Sequence, residues 1–157
     1  MTALPTTLPT REKATAAAEL EGLYERDEVE WCDEMAALIG RGRTGELDFA
    51  NLKEVLEDMG KRDRREVKSR LRVLLMHWLK WEFQPEMRTG SWLATLQIQR
   101  GELAEAASDS RTLRNHLAQV LDEVYAKARR DAAAETGLPP EIFPEACPVT
   151  LDELLAE

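Results

Sequence analysis

Residues 74–100 read LLMHWLKWEFQPEMRTGSWLATLQIQR. Up to Phe83 the apolar residues recur at three- and four-residue steps, as they do along one face of a helix. Pro85 stops the pattern, because the residue before a proline is pushed out of the helical region. Helical spacing resumes after PEMRTG, with Ser91 as the expected cap and Trp92, Leu96, Gln99 and Leu103 along one side, Leu93 beside them. The stretch therefore reads as a helical hairpin. It also gathers three of the chain's four tryptophans (Trp78, Trp81, Trp92) and one of its two histidines, His77. Large rigid aromatics set among His, Lys, Gln and Arg build either a polar network locked inside the hairpin or a binding site.

The same period extends in both directions. Trp31, Met35, Leu38 and Ile39 share a face in segment 24–39, with Asp27 a cap candidate and Gly40, Gly42 and Gly45 breaking the helix. Asp48 reads as the N-cap of a second helix carrying Phe49, Leu52, Val55, Leu56 and Met59 on one face. Gly60 is expected to cap or kink it, and a third helix to start near Asp63 and run to about Phe83 through Val67, Leu71, Leu74, Leu75, Trp78 and Leu79. Beyond the hairpin, SDSRT reads as a loop. A fifth helix spans about 112–136, with Leu113, Leu117, Val120, Leu121, Val124, Tyr125 and Ala128 inward, and ends at Gly137 and Pro139. The tail LPPEIFPEACPVT is expected to lie extended across the bundle, since Ile142 and Phe143 need cover. Thr150 and Glu153 form a capping box for a last short helix over 151–156. No strand-like alternation competes. The fold class is all-α: a helical bundle of about five main helices plus a short C-terminal helix.

With 157 residues the chain has the length of one ordinary domain. Residues 1–22, rich in Thr, Ala and Pro, are expected to form a disordered tail ahead of a single domain over 23–157. The 30 acidic residues exceed the 21 Lys and Arg, giving a formal charge of −9. That excess argues against nonspecific binding to nucleic acid or anionic lipid. No apolar run reaches the roughly 18–20 residues that span a membrane, and the N-terminus lacks the basic start and apolar block of a signal peptide. The expected location is cytoplasmic, where Cys32 and Cys147 stay reduced.

Four stretches resemble one family in order: YERDEVEW (24–31), LDFANLKEVLEDMGKRDRREVKSRLRVLLMHWLKW (47–81), QPEMRTGSWLATLQIQR (84–100) and ETGLPPEIFPEACPVTLDELL (135–155). The chain is similar to DUF29, a bacterial domain of unknown function. The resemblance implies an all-helical fold and a bacterial origin. It carries over no catalytic residue, because the family has none assigned.

The hairpin supplies the candidate site. His77, Lys80, Trp81 and Gln84 share one side of their helix, and the turn and returning helix add Arg88, Trp92, Thr95, Gln99 and Arg100. As a pocket, this set would bind an anion or a partner's carboxylate through Lys80, Arg88 and Arg100. As a buried network it would fix the hairpin's register, and that reading ranks first. His77 is the best general base in the chain, but no nucleophile motif accompanies it. No catalytic residue, metal ligand or cofactor is assigned. The Glu-x-x-His spacing of helical di-metal sites is absent at His77 and His116, and Glu30, Glu34, Glu54, Glu57 and Asp58 read as a solvated face before an Mg²⁺ site. Cys147 reads as an apolar anchor of the tail before a reactive thiol.

Against the acidic background, segment 60–72 (GKRDRREVKSRLR) sets seven basic residues against Asp63 and Glu66, a local charge of +5. Lys61, Arg65, Lys68 and Arg72 line one helical face, a candidate contact for nucleic acid, or else a face paired with the acidic first helix (Glu25, Glu28, Glu30, Glu34) or with solvent. The functional expectations rank accordingly. A non-enzymatic cytosolic interaction or adaptor protein, partnered by another protein or by itself as a homo-oligomer, comes first. An enzyme or small-anion binder using His77–Arg100 comes second, and nucleic-acid contact third.

Overall fold

Asp27 shows how local chemistry starts each helix. Its carboxylate accepts the backbone N–H of Glu30 at 3.0 Å, satisfying a donor that the first turn leaves open. The computed structural model describes residues 18–20 and 22–156. Of residues 1–22, assigned by composition to a disordered tail, 1–17 and 21 lie outside the described residues, while 18–20 and 22 are helical, and the helix at 22 continues to 26. Helix α1 spans Glu28–Gly40, α2 Phe49–Phe83, α3 Gly90–Asp109, α4 Arg111–Thr136 and α5 Leu151–Leu155. Short 3₁₀ turns occupy Thr44–Glu46, Pro85–Met87 and Pro140–Ile142. The described residues contain no strand, and the fold is all-α. The chain divides into two compact units between Met59 and Gly60.

In the first unit, α1 buries Trp31, Met35 and Leu38 against Leu20, Leu23, Tyr24, Leu47, Leu52 and Val55. The Tyr24 and Trp31 rings meet edge to face at 5.0 Å. Gly42, with φ of 70°, turns the chain out of α1 in a conformation that side chains with a Cβ avoid. Asp48 caps α2 by accepting the Asn51 N–H at 3.2 Å, and its other oxygen accepts the Trp31 indole N–H at 3.3 Å. The expected apolar face of this part of α2 is covered only in part. Leu52 and Val55 pack on the Trp31 core, whereas Phe49, Leu56 and Met59 stand exposed.

Three boundaries differ from expectation. The helices expected on either side of Gly60 are one, because α2 runs unbroken from Phe49 to Phe83. Gly60 does not have positive φ, and Arg64 Nη1 donates to its carbonyl at 3.0 Å. A mid-helix glycine costs about 1 kcal/mol relative to Ala, which the good helix formers around it offset. Asp63 is accordingly not a cap. The expected loop SDSRT shrinks to Ser110, which closes α3 through its N–H to Ala106 and opens α4 by accepting the Leu113 N–H at 3.2 Å. At the hairpin, Thr89 rather than Ser91 caps α3, accepting the Trp92 N–H at 3.3 Å.

The second unit is a three-helix bundle whose directions follow from its cross-helix pairs. Arg70 of α2 meets Gln99 and Glu102 of α3, while Lys80 meets Trp92, so these helices run antiparallel. Lys68, Arg72 and Lys80 meet Glu123, Asp131 and Glu135 of α4 in ascending order, so α2 and α4 run parallel. Between them lie Leu71, Leu74, Leu75, Leu79, Leu103, Leu117, Val124 and Tyr125, all essentially inaccessible. Gly137, at φ 70°, ends α4. The proline-rich tail then returns along α4. Arg129 donates to the carbonyls of Pro140 (2.8 Å) and Phe143 (3.1 Å), and the Tyr125 hydroxyl to Pro144 (2.7 Å). Phe143 is buried against Phe83, whereas Ile142 stays half exposed. The capping box of Thr150 and Glu153 starts α5, which buries Leu151 and Leu154.

Candidate functional site

The α2–α3 hairpin brings some of its polar residues together and sends others elsewhere. Among the described residues Lys80 is the buried charge, 6% exposed. Its ammonium lies 2.6 Å from Glu135 of α4 and 4.4 Å above the Trp92 ring, so it has both an anion and a π face. Just past the end of α2, the Gln84 amide donates to the carbonyl of Thr136 at 3.4 Å. Arg88 folds back over Trp81. Its Nε donates to the Trp81 carbonyl at 2.8 Å and its guanidinium carbon lies 4.7 Å above the ring. Lys80, Trp81, Gln84, Arg88 and Trp92 thus tie α2 to the turn, to α3 and to the end of α4.

The remaining members do not join them. His77 Nδ1 is 3.0 Å from the Val73 carbonyl, a contact satisfied when that nitrogen carries the proton. Thr95 donates to Ser91 one turn earlier in its own helix (3.0 Å). Gln99 accepts from Arg70 at 3.5 Å. Arg100 donates from Nε to the Leu154 carbonyl of α5 at 3.0 Å. His77, Lys80, Arg88 and Arg100 thus bond to four different partners: Val73, Glu135, Trp81 and Leu154. Among the described residues, no buried side-chain nitrogen or oxygen lacks a hydrogen-bond partner.

The basic face is divided in the same way. Lys68 donates to both oxygens of Glu123 at 3.0 Å, and Arg72 clamps Asp131 with Nη2 at 2.7 Å. Arg65 donates to the Lys61 carbonyl at 3.4 Å and, like Lys61, is exposed. The partners of Lys68 and Arg72 thus lie on α4, not on the acidic first helix that carries Glu28, Glu30 and Glu34. Lys127 and Lys68, by hydrogen bonding, hold the Glu123 carboxyl down at about 2. The Arg72 hydrogen bond likewise lowers Asp131.

The family model for the domain of unknown function DUF29 matches residues 23–157. The chain belongs to DUF29. No curated protein and no solved structure matches it.

The DUF29 match takes in residues 23–59 of the first unit and the whole of the second, hairpin included. Among the described residues, no group of three or more His, Cys, Asp or Glu is placed to hold a metal ion, and no helix is long and apolar enough to cross a membrane. Cys32 and Cys147 are free thiols. Burial pushes the Cys147 thiol up, and the thiol donates to the Val149 carbonyl at 3.3 Å; both effects suit an anchor of the tail better than a nucleophile. Spacing within α2 could not disclose Glu135, because its partnership with Lys80 spans 55 positions. The indole bond of Asp48 was hidden for the same reason, although its capping role was legible.

Proposed function

We propose that this DUF29 chain is a non-enzymatic, self-associating interaction protein of the cytoplasm, with the first half of α2 as its contact face. The observation that carries the reading is the exposure of Phe49, Leu56 and Met59, at 65%, 66% and 47%. With half-buried Leu52 they follow at steps of three, four and three residues, the spacing of a coiled-coil seam. That order reads the same in both directions. An antiparallel copy would therefore set Phe49 of one chain against Met59 of the other, and Leu52 against Leu56. A two-fold interface requires such a self-complementary patch. Full burial of one such side chain contributes about 1.5–3 kcal/mol, so leaving three open is costly.

Other features weigh in the same direction. His77 is engaged by its own helix and Lys80 by Glu135, which lowers the standing of an enzyme built on them. Lys68 and Arg72 are neutralised by α4, which leaves less positive face for nucleic acid. The cytoplasmic assignment rests on the two free thiols. Size-exclusion chromatography with light scattering tests the proposal. The wild type should run as a dimer at high micromolar concentration, and Leu56→Glu as a monomer with unchanged helical circular dichroism. A monomeric wild type would overturn it.

A further inference from the structure

Between α3 and α5 lies a groove of about 420 Å³, lined by Leu93, Gln97, Arg100, Gly101, Ala104 and Leu155. That volume falls within the roughly 300–1,000 Å³ of small-molecule sites. Its lining is divided by chemistry. Leu93 and Leu155 are apolar, Gly101 and Ala104 add little bulk, and Gln97 and Arg100 carry the polar groups.

Arg100 is the charged member of the lining. Its Nε is tied to the Leu154 carbonyl at 3.0 Å, which anchors the guanidinium to α5. Arg72, Arg114 and Lys80 in the same unit each hold a carboxylate, whereas Arg88 and Arg129, like Arg100, bond to backbone carbonyls. Arg100 forms no ion pair among the described residues, in a chain with 30 acidic side chains. Anchoring through Nε leaves the two terminal nitrogens as a fork of donors matched to a carboxylate. A single guanidinium beside a neutral amide suits one negative charge better than a phosphate dianion, and the leucines suit an apolar body.

We propose that this groove binds a small organic carboxylate with an apolar body. The acid group sits on Arg100 and Gln97, and the body lies between Leu93 and Leu155. The site belongs to the second unit and the proposed self-association face to the first, so either idea can fail without the other.

The test is a titration of the ¹⁵N-labelled full chain followed by amide chemical shifts. Sodium 4-phenylbutyrate is the probe, and acetate and 4-phenylbutanamide are controls lacking the body or the charge. Gln97, Gly101 and Leu155 should shift saturably with a Kd below about 1 mM, and each control should bind at least about tenfold more weakly. Arg100→Gln should lose about tenfold or more, as loss of a charge partner implies. Because that change also removes the tie to α5, Gly101→Leu provides an independent arm. A Cβ at Gly101 meets nothing within 4 Å, so leucine enters the groove without disturbing the backbone and should abolish the shifts. Absence of saturable shifts with 4-phenylbutyrate, equal binding of the amide, or undiminished binding by folded Gly101→Leu would overturn the assignment.

Discussion

Lys80 of α2 and Glu135 of α4 meet at 2.6 Å, and the two ends of the pair lie in different environments: the lysine side chain is 8% exposed and the glutamate 48%. The lysine is the partner that has lost its water. Its remaining compensation is the Trp92 face, 4.4 Å away. Burying a charge is tolerated only when it is paired, and removing one partner leaves the other stranded.

Replacing Glu135 with Ala should therefore cost about 1–2 kcal/mol, less than a fully buried pair because the glutamate end is wet. Lys80→Met, which removes the charge and keeps most of the volume, should be nearly neutral. Urea denaturation of the three proteins measures the contrast. A Lys80→Met variant less stable than Glu135→Ala would show that the ammonium is a net stabiliser of the hairpin.

Asp48 joins two functions in one side chain, the cap of α2 and the acceptor for the fully buried Trp31 indole. Asp48→Ala removes both and should cost about 2 kcal/mol or more. Asp48→Asn keeps one acceptor oxygen where Asp48 uses two, so it should recover only part of that loss. Thermal unfolding with tryptophan fluorescence reads both variants, and equal melting of Asp48→Ala and wild type would exclude the role.

Acid should loosen the contact between α2 and α4. Hydrogen bonds from Lys127 and Lys68 depress Glu123 from 4.5 to about 2 in the folded chain. A depressed carboxyl contributes stability above its unfolded value and loses it as pH falls through the folded one. Asp131, lowered by its hydrogen bond to Arg72, and Glu153, lowered by its hydrogen bonds to Thr150, act in the same sense. Urea midpoints should fall between pH 4.5 and about 2, and less steeply in Glu123→Gln. These groups are exposed, so added salt should also flatten the profile. Identical pH slopes for wild type and Glu123→Gln would remove Glu123 from the explanation.

Helix ends were legible where one residue type decides them. Asp27 and Asp48 offer carboxylates to open N–H groups, Gly137 takes a left-handed conformation, and Thr150 with Glu153 closes a reciprocal cap. Ser110 was misread because a single serine can both end one helix and start the next, which composition renders as a polar loop. The candidate site was legible only within each helix. Spacing aligned His77, Lys80, Trp81 and Gln84, but what Lys80 and Arg100 touch depends on Glu135 and Leu154, more than 50 positions away, where no local pattern points. The stripe of Phe49, Leu56 and Met59 was correctly read as apolar. Its exposure was not, because periodicity marks a face and does not supply the element that covers it.

Gly60 tests the continuity of α2 directly. A glycine that ended or kinked a helix by using positive φ would resist alanine, because a Cβ is strained there. In the continuous helix Gly60 has no positive φ, and alanine should stabilise the chain by up to about 1 kcal/mol through helix propensity. The nearest obstacle to the added Cβ is Arg64 Nη1 at 3.1 Å, the far end of a flexible side chain that can move aside. Its displacement gives up the hydrogen bond to the Gly60 carbonyl, an exposed contact of little net value. Gly60→Ala should therefore raise both the melting temperature and the helical circular dichroism, while Gly137→Ala, at φ 70°, should lower the melting temperature. A destabilised Gly60→Ala protein would mean that the helix breaks at this position.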